Sequence, residues 1–300
     1  MAIISTIRQR NAVFLLIAAL ALSSCAGAQR VDNANQFAYE GVKFTRTLPA
    51  FYDEYFKLAI NADSAALVTA RELSGAAPER LQNELQKADD DLKRTGALVR
   101  GLTEHASLLG SYFAEIQRLT GEDVGQGVGS ATAALVGEIG RVRSDFGGGS
   151  PLGVPVEKVA QPVGNFVVVA LKNKALKREL EEHGETIDRE LAVQEAILNK
   201  LGQSMVSDSA AWTSGALINP VYEQYRDKSK PLGTGWYRKR ERYLTNSSAI
   251  GSAQQAEQAM KALRVAWQEL AGGGPEGSTV ARLMGHVNAT IAMINALKAN

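Results

Sequence analysis

The chain has 300 residues, with 33 lysines and arginines against 32 aspartates and glutamates, one cysteine and three histidines. A near-neutral balance argues against a general nucleic-acid binder, which carries a strongly basic domain. A single cysteine excludes disulfides and cysteine metal sites within a monomer, so stability has to come from burial, for which the length is ample.

The N-terminus reads MAIISTIRQRNAVFLLIAALALSSCAG, with Arg8 and Arg10 ahead of an apolar run over 12–22, then Ser23, Ser24 and Cys25. This is the order of regions in a secretory signal peptide. The apolar run is about half of the roughly 20 residues needed to span a bilayer as a helix. Residues 1–24 are therefore expected to be cleaved rather than to stay as a span. Leu22-Ser23-Ser24-Cys25 resembles the lipobox of bacterial lipoproteins, a resemblance confined to residues 1–26. It implies acylation of Cys25, palmitate included, and several acyl chains anchor a protein stably where one is marginal. Ala26 after the cysteine resembles the outer-membrane sorting pattern, which implies the periplasmic face of the outer membrane. Residues 25–36 then form the lipidated cysteine and a short polar tether, and residues 37–300 one helical domain.

The eight prolines leave long proline-free runs over 79–150, 163–219 and 232–274, which permit long helices. Aromatics make up only 6 % of the chain, and the abundant alanine, leucine, glutamate and lysine favour helix over sheet. Pro49–Leu73 reads as a helix that turns back at Ser74–Pro78, giving a helical hairpin. Leu81, Leu85, Ala88, Leu92, Val99, Leu102, Ala106, Leu109, Phe113 and Ile116 form a 4-3 apolar stripe that only Thr95 interrupts. Such a helix is roughly 55–60 Å long, against a radius of gyration of about 19 Å for a compact globule of this length. The expected fold class is all-α, an elongated bundle of long antiparallel helices.

Residues 121–164 break this pattern as a Gly/Pro-rich insertion, followed over 165–171 by the β-branched NFVVVAL, so the insertion has room for a short β-hairpin. The glycines at 125, 127 and 129 imitate a phosphate loop, but they follow a helix and lead to no Lys-Ser/Thr, so that reading is discarded. Apolar pieces over 128–136 and 163–171 flank a loop between two long helices. The layout is similar in architecture to the α-helical pore-forming toxins, with no motif matched. It makes Val163, Phe166, Val167, Val168 and Val169 candidate membrane contacts, although close packing of small residues inside the bundle is the preferred reading.

A second stripe runs Leu176, Leu180, His183, Ile187, Leu191, Gln194, Leu198, Leu201, Met205. None of the three histidines lies in a Glu-x-x-His metal pattern, and neither H-E-x-x-H nor G-x-S-x-G occurs. His183 is expected to be a satisfied polar core residue, and no catalytic constellation, metal or cofactor is expected. The stretch VYEQYRDKSKPLGTGWYRKRERYL, 221–244, interleaves Arg226, Lys228, Lys230, Arg238, Lys239, Arg240 and Arg242 with Tyr222, Tyr225, Trp236, Tyr237 and Tyr243. Such a cluster suits an anionic membrane surface, an acidic partner or an anionic envelope polymer. The run Asp89-Asp90-Asp91 is an opposite charge with no assigned pairing. Ser248–Leu270 reads as a helix stopped by Gly272–Pro275, and Ser278 as the cap of a last helix bearing Leu283, Val287, Ile291, Ile294 and Leu297. These features point to a non-enzymatic, lipid-anchored envelope protein that offers a helical surface to protein or envelope partners, oligomerisation included and nucleic acid excluded. A membrane-active protein inserting residues 124–171 and an unrecognised periplasmic enzyme are the alternatives.

Overall fold

The computed structural model describes residues 3–74, 77–120, 174–227, 229, 232–245 and 247–298, with side chains described from Val31 onward except at 72–76, 216–220 and 242–250. Helix α1 spans Ile3–Ser74, α2 Pro78–Thr120 and α3 Lys174–Trp212. A π-helical turn, Thr213–Ile218, leads from α3 into α4, Asn219–Arg226, and then come α5, Thr234–Thr245, α6, Ser247–Ala271, and α7, Gly277–Lys298. With 43 residues, α2 is about 65 Å long at 1.5 Å per residue.

The ends of these helices follow local chemistry. Pro78 occupies the first turn of α2, where its missing N–H costs nothing, and the Ala77 carbonyl accepts from the amides of Arg80 and Leu81. At the end of α6 the amides of Gly272 and Gly274 donate to Gln268 and Glu269 carbonyls. Gly273 and Gly274 hold φ of 114° and 121°, a left-handed backbone that glycine adopts without a Cβ penalty. Glu276, not Ser278, caps α7: its carbonyl accepts from Thr279 and Val280 while its own amide donates to the Glu269 carboxylate at 2.9 Å.

The bundle is built around α1, which touches α2, α3, α6 and α7. It runs antiparallel to α2 at close range through small residues. A Cβ on Gly41 would meet the Phe113 ring at 2.8 Å, and one on Gly110 would meet the Thr45 hydroxyl at 2.8 Å. Helix α6 returns along α3, where the Trp267 indole donates to the Gly184 carbonyl at 3.1 Å and Asn199 donates to Glu257 at 2.9 Å. Helix α7 runs parallel to α1, with Asn33 donating to the Pro275 carbonyl and Lys43 to Asn288. Phe37, Tyr112, Phe113 and Trp267 form the aromatic centre, with edge-to-face centroid separations of 5.7 Å for Phe37–Phe113 and 5.8 Å for Tyr112–Trp267.

These pairings give the bundle two poles. Asn33, Leu119, Leu176 and the α6–α7 turn share one; the α1–α2 turn, the π-turn, α4 and α5 lie towards the other. Between Asn33 and Ala65, which packs on Gly215 of the π-turn, α1 rises roughly 50 Å.

Several expectations need correction. The all-α bundle stands, but the β-hairpin does not: no strand occurs among the described residues, so NFVVVAL has no described edge to pair with, and β-branching alone does not make a strand. The insertion, 121–164, and the run 165–171 after it lie outside the described residues. Helix α1 does not begin at Pro49 but passes through it. The proline deletes one backbone bond, yet Leu48, Phe51 and Tyr52 beside it are fully buried and hold the helix together. Within 25–36, Asn33 donates to the Pro275 carbonyl and Ala34 is buried. On α2 the stripe is buried only from Gly96 onward, and Leu85 remains 49 % exposed, because nearer the turn α1 is the neighbour it has.

Candidate functional site

The basic, aromatic stretch forms an arm at the pole remote from Asn33. The π-turn sets it there: Gly215 packs against α1, where a Cβ would meet Thr69 at 3.5 Å and Ala65 at 3.6 Å. Such i→i+5 turns re-aim the chain that follows them and recur at functional positions. Buried Val221 at the start of the arm accepts a hydrogen bond on its carbonyl from the Trp236 indole at 2.9 Å, which fastens α5 onto α4. Between them Asp227 folds an Asx-type turn, accepting from the Ser229 amide and hydroxyl. Gly233 then caps α5, its carbonyl accepting from the amides of Trp236 and Tyr237.

On this frame Tyr225 stacks on Trp236 with ring centroids 5.9 Å apart and planes 22° from parallel, while Tyr237 meets Trp236 edge-on at 5.4 Å. Trp236 is half-buried, but Tyr222, Tyr225 and Tyr237 are 55, 65 and 61 % exposed. Arg226, Arg238, Lys239 and Arg240 are exposed around them. Among the described residues none of the four cations makes an ion pair. Lys228 and Lys230 lie outside the described residues, and the side chains of Arg242 and Tyr243 are not among those described. Asp90 and Asp91 pair instead with Lys93 and Arg94 of their own helix. Asp63 on α1 faces this acidic run; its pKa is raised by partial burial and then by the charges of Asp89 and Asp91.

The other expected positions divide sharply. Cys25 is on α1, and its side chain is not described. Val163, Phe166, Val167, Val168 and Val169 lie outside the described residues. His183 is not a core residue: its side chain is 32 % exposed, at the edge of the α3 stripe, 3.9 Å from Glu182. The buried histidine is His105 on α2, whose Nε2 sits 2.8 Å from Oε1 of Glu190 on α3, with both side chains fully buried. Gln194, one turn on, donates to the same oxygen at 3.4 Å. His105 Nδ1 and Nε2, Glu190 Oε2 and Gln194 Oε1 have no hydrogen-bond partner, so Nε2 and Oε1 approach closely without hydrogen-bond alignment. Nearby in the core, burial and then the charge of Glu179 push the Tyr112 hydroxyl well above its usual pKa.

The sequence offered a signal for this pair. His105 follows Leu102 by one helical turn, and Glu190 precedes the stripe residue Gln194 by one turn, so both fall on apolar faces. A histidine beside a carboxylate can act as a general base, but these atoms are sealed from solvent, and a substrate would have to open the bundle to meet them. Among the described residues no three His, Cys, Asp or Glu side chains gather as a metal ligand set. Among the described residues the molecule is a purely helical bundle that offers helical surfaces for interaction, the most chemically distinct being the arm. Comparison with protein-family models, with curated proteins and with solved structures finds no match.

Proposed function

We propose that this chain is a non-enzymatic lipoprotein of a bacterial cell envelope, held to the membrane through Cys25 and presenting the arm to a partner in the envelope. The polarity of the bundle carries this reading. Cys25 precedes Asn33 on α1, and the arm sits beyond Ala65, roughly 50 Å further along that helix. That distance is several Debye lengths at physiological salt, about 8 Å each, so the arm's cations lie beyond the field of the anchored pole. They are placed to act on something other than the membrane that holds the protein. The lipobox residues Leu22-Ser23-Ser24-Cys25 supply the attachment, and Ala26 favours the outer membrane.

The test uses intact cells with lipidation preserved. A Cys25→Ala chain is expected in the soluble fraction, and full retention on membranes overturns the attachment. Crosslinking of the lipidated protein is expected to trap a partner that the triple variant Arg238→Ala, Lys239→Ala, Arg240→Ala no longer traps. The same crosslinked species recovered from both overturns the arm as the contact surface.

A further inference from the structure

The arm's chemistry says what kind of partner it fits. A helix that docks into a protein groove carries apolar anchors one turn apart along a face, and the cores of protein interfaces are depleted of charge. Helix α5 does neither: Trp236 and Tyr237 are adjacent and run directly into Arg238, Lys239 and Arg240. The stacked Tyr225–Trp236 pair and the edge-on Tyr237 leave flat ring surface in water, held in place by the indole bond to Val221. Aromatic faces of this kind stack on the C–H faces of sugar rings, and arginine forks match acidic oxygens.

We propose that the arm binds an anionic polysaccharide, with Tyr225 and Tyr237 stacking on sugar rings while Arg226, Arg238, Lys239 and Arg240 take the acidic substituents. The proposal rests on the arm being the contact surface and names the ligand class. A polymer also fits the arrangement, because a single exposed face with dispersed cations gains from repeated units.

The test measures binding of purified full-length protein to polygalacturonate, which carries rings and carboxylates. Comparators are poly-L-glutamate (carboxylates without rings), dextran (rings without charge) and oligo(dT). Polygalacturonate is expected to bind at least tenfold more tightly than each comparator. Tyr225→Ala with Tyr237→Ala is expected to weaken it about tenfold with the salt dependence unchanged. Arg238→Ala, Lys239→Ala, Arg240→Ala is expected to abolish it. All five side chains are exposed, and an unchanged helical circular dichroism spectrum and melting temperature verify that each variant folds. Equal binding of poly-L-glutamate overturns the proposal in favour of an acidic protein, and preference for oligo(dT) overturns it in favour of nucleic acid. No polygalacturonate binding, alongside crosslinks that still depend on the arm, overturns the polysaccharide and leaves the arm as contact surface. Loss of that dependence overturns both.

Discussion

Cutting one partner out of the His105–Glu190 pair should cost more than cutting both. The two side chains face each other at 2.8 Å with no solvent access, and each keeps a polar atom with no hydrogen-bond partner. Removing one member of a buried pair leaves the other uncompensated, typically at about 3–5 kcal/mol, whereas apolar replacement of both is often neutral or stabilising. His105→Leu and Glu190→Leu are each expected to lose about 3 kcal/mol or more, a large share of the roughly 5–15 kcal/mol that holds a domain folded. Part of the Glu190→Leu loss falls on Gln194, whose amide donates to the carboxylate. His105→Leu with Glu190→Leu should be no less stable than either single variant, because apolar packing replaces both buried polar groups. Urea unfolding followed by circular dichroism gives the four free energies of the cycle. A double variant whose loss equals the sum of the singles would show that the two groups do not act as a pair, and would refute the reasoning.

Gly41→Ala and Gly110→Ala should each destabilise by about 1–3 kcal/mol, because their Cβ atoms would meet Phe113 and Thr45 at 2.8 Å; Gly101→Ala, with nothing within 4 Å, should gain up to about 1 kcal/mol from helix propensity. Thermal melts separate the two groups, and a loss at Gly101 would contradict the packing described. The folded-state pKa of Asp63 lies above its ordinary value of 3.8, so between the two the folded chain binds more protons than the unfolded one. Stability contributed by this group therefore rises as pH falls from neutral through that window, and partly buried Asp208, raised by desolvation, acts in the same direction. Asp63→Asn should flatten the slope while shifting stability at neutral pH by no more than about 0.5 kcal/mol, since the group is largely solvated; an unchanged pH profile refutes the coupling to Asp89 and Asp91. Hydrogen exchange should be faster over 78–95 and 234–241 than over 96–116 and 187–205, where the buried contacts concentrate; uniform protection would contradict this.

Periodicity located helix faces well and their neighbours poorly. The stripe residues Leu176, Leu180, Ile187, Leu191, Leu198, Leu201 and Met205 are all buried on α3. The equally regular Leu81 and Leu85 are not, because a stripe states which side is apolar and not whether another helix reaches it. The same gap explains the histidines. His183 lies on the read stripe yet at its edge, while His105, one position off a stripe residue, points into the centre; a small rotation of the helix decides between them. The arm was legible as composition. Its geometry was not, since the Trp236–Val221 bond and the Tyr225–Trp236 stack join residues on different helices across the Asp227 turn.

The two poles of the bundle are built differently. The Phe37–Phe113–Tyr112–Trp267 cluster and the α6–α7 turn lie towards the Asn33 pole. Towards the opposite pole lie α1, α2 with its half-covered stripe and the end of α3, and the arm joins there through the π-turn, which packs on α1 at Gly215, and the indole hydrogen bond within the arm. Substitutions on the arm's exposed rings and cations therefore remove little buried surface, and function there can change without passing through the stability of the whole chain. The Asn33 pole has the opposite property: Ala34, Phe37 and Ala38 of α1 are buried and Asn33 is tied to Pro275, so substitutions there act through the stability of the bundle.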